Sequence, residues 1–256
     1  MKIAFYNGVS GMLSYQEAMN RVAHNVANSG TIGFKPDQSV FSDLLYTRMA
    51  VNTPEEPLTG HGVKIEDTRL VYRQGPLDIT GEKLDFAMTG DGLFAVRRPD
   101  GTTEYTRAGA FDISIEGKKK GYLVTGDGSH VLGPDGKPVE LTRESDDGPF
   151  DLEGLKDKIG IYDFPNPYGL EHSSGVCFRE TETSGAAVAI NGKRSGSQKE
   201  VYPGRIYNIR EGALERSAVD LSDEMVGVIV SQRAFQLNAR MVQTADELEQ
   251  VINNLR

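Results

Sequence analysis

Leu221-Ser222-Asp223-Glu224-Met225-Val226-Gly227-Val228-Ile229-Val230-Ser231-Gln232-Arg233-Ala234-Phe235 begins the stretch whose reading decides the fold. From there to the end of the chain, Leu221, Met225, Val228, Gln232, Phe235, Ala239, Val242, Ala245, Leu248, Ile252 and Leu255 recur at steps of three and four. Such steps set side chains in one stripe along a helix, and a stripe held over many turns is the pattern of a coiled-coil seam. Only Gln232 in the row is polar. Asp220 is a good N-cap, and Asp223 and Glu224 in the first turn face the positive end of the helix. A helix from there to the terminus would be about 50 Å long. The other end of the chain repeats the pattern with Val9, Met12, Gln16, Met19, Ala23 and Val26, which predicts a helix from Gly8 to about Asn28, stopped by Asn25-Val26-Ala27-Asn28-Ser29-Gly30.

Between the helices the period switches to two. Asp91-Gly92, Asp100-Gly101, Asp127-Gly128 and Asp135-Gly136 are hairpin signals, with strands expected at Leu93-Phe94-Ala95-Val96, Glu104-Tyr105-Thr106-Arg107 and Tyr122-Leu123-Val124-Thr125. Val40 to Met49 reads as short helical or extended structure, Asn52 to Gly62 as a linker, and Ser173 to Gly204 as a loop-rich return. Fold class α+β follows: terminal helices forming a coiled-coil-like element, and a central antiparallel β domain built as a small barrel or sandwich. Residues 1–50 and 213–256 are assigned to the helical element, 51–75 and 190–212 to linkers, and 76–189 to the β-rich domain.

A chain of 256 residues with net charge -9 can bury a real core and lacks the basic face of a nucleic-acid binder. One cysteine, Cys177, excludes an intrachain disulfide framework, and Val176-Cys177-Phe178 suits a half-buried strand better than a nucleophile. No apolar run reaches the roughly 20 residues that span a bilayer. Asn7-Gly8 interrupts the start too early for a signal peptide, which leaves a cytoplasmic chain or one exported with its N-terminus intact.

No catalytic constellation emerges. His24, His61, His130 and His172 are scattered without zinc-like spacing. Gly126-Asp127-Gly128 lacks the Lys-Ser/Thr of a phosphate loop, and the Asp-Gly pairs lack the acidic spacing of a calcium loop. Lys118-Lys119-Lys120 reads as a solvated turn. No catalytic residue, metal, cofactor, nucleic acid or small-molecule substrate is expected. Asp85 with Asp91 is the best carboxylate pair for a hydrolase, without a supporting nucleophile. A rival binding module, with helical oligomerisation tails, would need Tyr105, Phe111 and Tyr122 to line an aromatic face.

The candidate functional surface is therefore the terminal stripes. The C-terminal stripe outruns a β domain of roughly 100 residues, so it calls for partners along its length. The expected assembly interface comprises Val9, Met12, Met19, Ala23, Val26, Thr31, Gly33, Phe34, Leu221, Met225, Val228, Gln232, Phe235, Ala239, Val242, Leu248 and Ile252. Exposed stripes are liabilities before assembly, so the ends are expected to be loose in the free chain and to order on incorporation.

The same residues carry a resemblance. Asn25 to Lys35, with Thr31-Ile32-Gly33-Phe34-Lys35, resembles the N-terminal signature of bacterial flagellar rod and hook proteins. Leu84 to Phe94, Tyr105 to Phe111, Leu123-Val124-Thr125, Phe164 to Leu170 and Thr183-Ser184-Gly185 resemble that family's central motifs in order. Gly212 to Glu215, Glu224-Met225-Val226 and Gln232 to Asn238 are similar to its C-terminal signature. Departures are Ala218, where the family usually has Asn before the last helix, Arg216 in place of a small residue, and the basic turn at Lys118. The resemblance implies a structural, non-enzymatic subunit that stacks with copies of itself and other rod and hook proteins. It also implies that the loop at Thr31–Lys35 locks the terminal elements, and that export uses the flagellar type III apparatus. The length leaves no room for the extra domain of hook proteins, so a rod type is implied. Phe41-Ser42-Asp43-Leu44-Leu45-Tyr46 is similar to the distal rod type, with the proximal type close behind.

Overall fold

A computed structural model describes residues 2–48, 58–115, 120–143, 148, 150–191, 202 and 204–255. The turn at Lys118-Lys119, most of the linker expected at Asn52 to Gly62, and Asn191-Gly192 onward through Ser195-Gly196-Ser197 fall wholly or largely outside them. The described chain is α+β, with helices α1 (Lys2–Ala27), α2 (Leu155–Lys158) and α3 (Leu221–Asn254). It folds as two units: residues 1–27, 37–69 and 220–256, and residues 28–36 and 70–219.

In the first unit, α1 and α3 pack together. Gly8 faces Val242, Gly11 faces Asn238, Val22 faces Gly227, and the Asn25 amide donates to the Glu224 carboxylate at 2.8 Å. Early residues of one helix meet late residues of the other, so the pair is antiparallel. α3 starts where its capping chemistry says: the Asp220 carboxylate accepts from Ser222 N–H at 2.9 Å, standing in for the absent cap at Ala218. α1 begins six residues before the Gly8 start expected from sequence. Asn7-Gly8 reads locally as a break, but Asn7 donates to Gly60 O and Gly8 lies against α3, so tertiary contacts override the propensity. Both ends are continuous helices, and each packs against the other. Asp37–Asp43 pairs with Val63–Leu70, and Thr47–Arg48 with Leu58–Thr59, so Val40 to Arg48 is extended, not helical.

The second unit is an antiparallel sheet in the order Glu140–Thr142, Lys120–Thr125, His130–Val131, Leu93–Arg97, Thr103–Thr106, Cys177–Arg179, Glu171–His172, with three further strands branching from it. Leu93–Arg97 is buried on both faces: Phe94 and Val96 enter one apolar cluster, Leu93 and Ala95 the other. The expected small barrel is not formed among the described residues. Leu93–Arg97 takes Ile161–Asp163 as a further partner beside the main path, and the sheet's end strands do not meet. Three Asp-Gly turns do what their sequence says. Gly101, Gly128 and Gly136 have φ of 87°, 81° and 70°, and tight antiparallel returns close around them. Asp91-Gly92 instead leads out of Phe86–Gly90, which pairs with Tyr207–Glu211. Val63–Leu70, where the sequence already alternates with period two, is a strand, as is Tyr207–Glu211 within a segment expected as a linker. Ala213–Glu215, grouped from sequence with the helical element, pairs with Leu77–Ile79 in the second unit.

Candidate assembly interface

The expected interface residues separate into three groups. Val228, Phe235, Ala239 and Val242 are half-buried along the α1–α3 pair, as are Val9, Met12 and Met19 on α1. Leu221, Met225, Gln232, Leu248 and Ile252 on α3 are exposed, as are Ala23 and Val26 on α1. Thr31, Gly33 and Phe34 belong to the β unit, where Gly33 and Phe34 are buried. The α3 face turned toward α1 is centred on Glu224, Val228, Ser231, Phe235, Asn238, Val242 and Ala245, which alternate steps of four and three. That spacing is the heptad spacing.

A second row, of which the sequence reading had only Leu248 and Leu255, lies one residue back in register. Val230, Leu237, Met241, Thr244, Leu248, Val251 and Leu255, with half-buried Ala234 between the first two, again follow steps of three and four, about 100° around the helix from the first. Its large members are exposed: Leu237 by 64%, Met241 by 57% and Leu255 by 83%. The signal was present in the sequence as the same period shifted by one. It was masked because the first row alone already makes a complete stripe.

The Thr31–Lys35 loop owes its shape to one glycine and one buried carboxylate. Gly33 has φ of 70° and lies so close to the Arg107–Ala108 backbone that a methyl there would sit 2.5 Å from Ala108 N. Gly33 N–H donates to Glu215 O, and Ala218 N–H donates to Phe34 O, which stitches the segment after α1 to the segment before α3. Beneath it, Lys35 Nζ donates to Glu215 Oε1 at 2.6 Å and to Arg73 O, and Arg107 Nη1 donates to Glu215 Oε2 at 3.1 Å. Gly75 N–H also donates to Glu215, and Arg107 reaches Met88 O, Gly90 O and the Tyr72 hydroxyl. Lys35 and Arg107 are each 1% exposed and Glu215 is 0%. One carboxylate thus faces two cations. Burial lowers the Lys35 ammonium to about 8, against the pull of Glu215 and with the help of Arg107 and Arg73. Burial also raises the Tyr72 phenol above its ordinary range, opposed by Arg107. Sequence reasoning found Lys35 in the motif but not Arg107 or Glu215 as its partners, since nothing local links positions 35, 107 and 215.

Other chemistry is spoken for. Tyr105 and Phe111 are buried in the core, and half-buried Tyr122 lies edge-on to His130, so the aromatic face of a binding module is not assembled. Burial pushes the Cys177 thiol up to about 11. The Asp85 carboxylate is hydrogen-bonded to Thr80. Among the described residues no acidic, His or Cys cluster could hold a metal, and no helix is long and apolar enough to cross a membrane.

Comparison with known proteins shows the class, that of the flagellar rod and hook proteins. Residues 210–255 match the family model described as "Flagellar basal body rod FlgEFG protein C-terminal", and residues 87–157 match "Flagellar hook protein FlgE/F/G D1 domain". The chain is 33% identical to the flagellar basal-body rod protein FlgG of Bacillus subtilis, covering 99% of this chain and 98% of that one. It is 34% identical to FlgG of Borreliella burgdorferi, covering 100% and 99%. The flagellar hook-basal body complex protein FlhP of Bacillus subtilis is 26% identical over 94% of both chains. The chain belongs to the family of the flagellar basal-body rod protein FlgG. It is a structural protein of the flagellar basal body that assembles into the rod with other flagellar proteins, and it is not an enzyme.

Proposed function

We propose that this chain is a distal-rod subunit that polymerises with copies of itself into a stiff helical tube and transmits torque. The paired terminal helices form the wall of the tube. The observation that supports this reading is the second seam on α3. A helix that has already satisfied one heptad seam within its own chain still presents Val230, Leu237, Met241, Leu248 and Val251 to solvent. Exposed apolar rows of this length are interaction surfaces. Two seams about 100° apart let one helix contact an intrachain and an intermolecular neighbour together. A contact between unlike faces of successive copies does not close on itself and generates a filament.

Assembly outside the cytoplasm requires export, and the flagellar type III apparatus is the implied route. The remaining partners are other rod proteins and the hook. The test is a strain carrying Leu237→Lys with Met241→Lys. The purified variant should keep its helix content, while cells lose motility and basal bodies end in truncated rods. Normal swimming with full-length rods would overturn the reading.

A further inference from the structure

The first seam is not uniformly apolar, and its exceptions sit opposite one another. On α1, Gly8 and Gly11 open a notch one turn long, although glycine is unfavourable within a helix. On α3, the Asn238 amide lies against Gly11, and the Asn238 backbone carbonyl and the Val242 side chain lie against Gly8. A methyl on Gly11 would come within 2.8 Å of Asn238 Cγ, Oδ1 and Nδ2, and a methyl on Gly8 within 2.7 Å of Val242 Cγ2. Asn238 Nδ2 donates back to Ala234 O at 3.0 Å, so the amide is partly satisfied within its own helix. The notch therefore selects it by shape. A polar residue at one seam position is a known means of fixing register at some cost in stability.

Sliding α3 by one turn would bring Phe235 or Val242 toward Gly11, where the space fits the planar amide. It would also part Asn25, which is 2% exposed, from Glu224. In the observed register, the first residue of α1 stands level with about Leu248, and the last two turns of α3 extend past it. Register thus sets how much of the apolar end of α3 overhangs.

We propose that Asn238, seated in the Gly8–Gly11 notch, is the positioning residue that fixes the α1–α3 register. Its consequence for assembly, the length of the overhang, rests on the polymerisation reading above. The register itself does not.

The test uses the dilute full-length chain carrying Cys177→Ser and one of two cysteine pairs. Val22→Cys with Gly227→Cys reports the observed register, and Val22→Cys with Ser231→Cys reports a one-turn slip. The parent forms only the first cross-link. Asn238→Ala should keep the helix content yet admit the second cross-link. Gly11→Ala should lower the first at least about fivefold, the scale of a modest overpacking penalty. Gly11→Ala combined with Asn238→Ala, which makes room for the methyl, should recover it. Asn238→Ala with the slipped cross-link still absent would overturn the proposal. So would Gly11→Ala with an unchanged first cross-link, or a double variant that fails to recover. Failure of assembly itself would appear in the Leu237 and Met241 variant and leave these cross-links as they are.

Discussion

The two units bury different things. In the β unit, Phe86, Met88, Phe94 and Leu123 are sealed from solvent. In the helical unit, the only buried apolar side chains among the described residues are Ala18 and Ala245, joined by the polar Ser14, Asn25 and Ser231. One unit is stabilised by its own interior. The other fully buries only small residues and Asn25, half-buries Val228, Phe235 and Val242 along the α1–α3 pair, and leaves Leu237, Met241 and Leu248 exposed. Burying a Leu or Met side chain contributes about 1.5–3 kcal/mol, so the apolar side chains left exposed on α3 contribute little of that within the chain.

Glu215→Ala should have the largest effect on the β unit. It strands Lys35 and Arg107 in the interior and should cost about 3–5 kcal/mol in denaturant unfolding. A small loss would mean that the cluster is wet and that the β unit is not closed as described. Leu123→Ala should follow, at about 2–5 kcal/mol depending on how far the site collapses. A comparable loss from an exposed α3 position would erase the contrast between the units.

The Lys35 ammonium titrates near 8 in the folded chain and near its ordinary 10.5 when unfolded. Between those values the unfolded state binds more protons, so this group makes stability rise with pH. Its cost is fully present below about 8 and is relieved above it. The expected gain is on the order of 2 kcal/mol by pH 10, read as the difference between the parent and Lys35→Met. Beyond pH 10, Tyr72 works the other way, because its raised phenol keeps a proton that the unfolded chain releases. A difference that falls between pH 8 and 10 would reverse the assignment. The smallest effect belongs to Leu237→Ser, within about 0.5 kcal/mol in the isolated chain. A larger loss would place Leu237 in an intrachain contact and remove the second seam.

Much of this was legible in the sequence because it is local. The three-four period of α3, the Asp220 cap and the positive-φ glycines at Gly101, Gly128 and Gly136 depend on neighbours a few residues away. The motif Thr31–Lys35 was expected, from the resemblance, to lock the two terminal elements together; its hydrogen bonds to Glu215 and Ala218 and the buried ion cluster beneath it were not legible. Asp91-Gly92 carried the same hairpin signal and was routed elsewhere. The choice of strand partner for Phe86–Gly90 was made by Tyr207–Glu211, more than a hundred residues away. Local signals also could not divide the α3 stripe into inner and outer residues. Met225 and Val228 share its period, yet one is exposed and the other faces α1.

The sequence alone therefore determined that the ends are amphipathic helices, that the middle is antiparallel β, and which family motifs frame them, because periodicity, capping and turn chemistry act over a few residues. Tertiary structure decided which face of α3 the chain keeps for itself, how α1 and α3 are registered, and that Glu215 holds both Lys35 and Arg107. Those outcomes depend on shape and charge meeting across separations that no local pattern encodes.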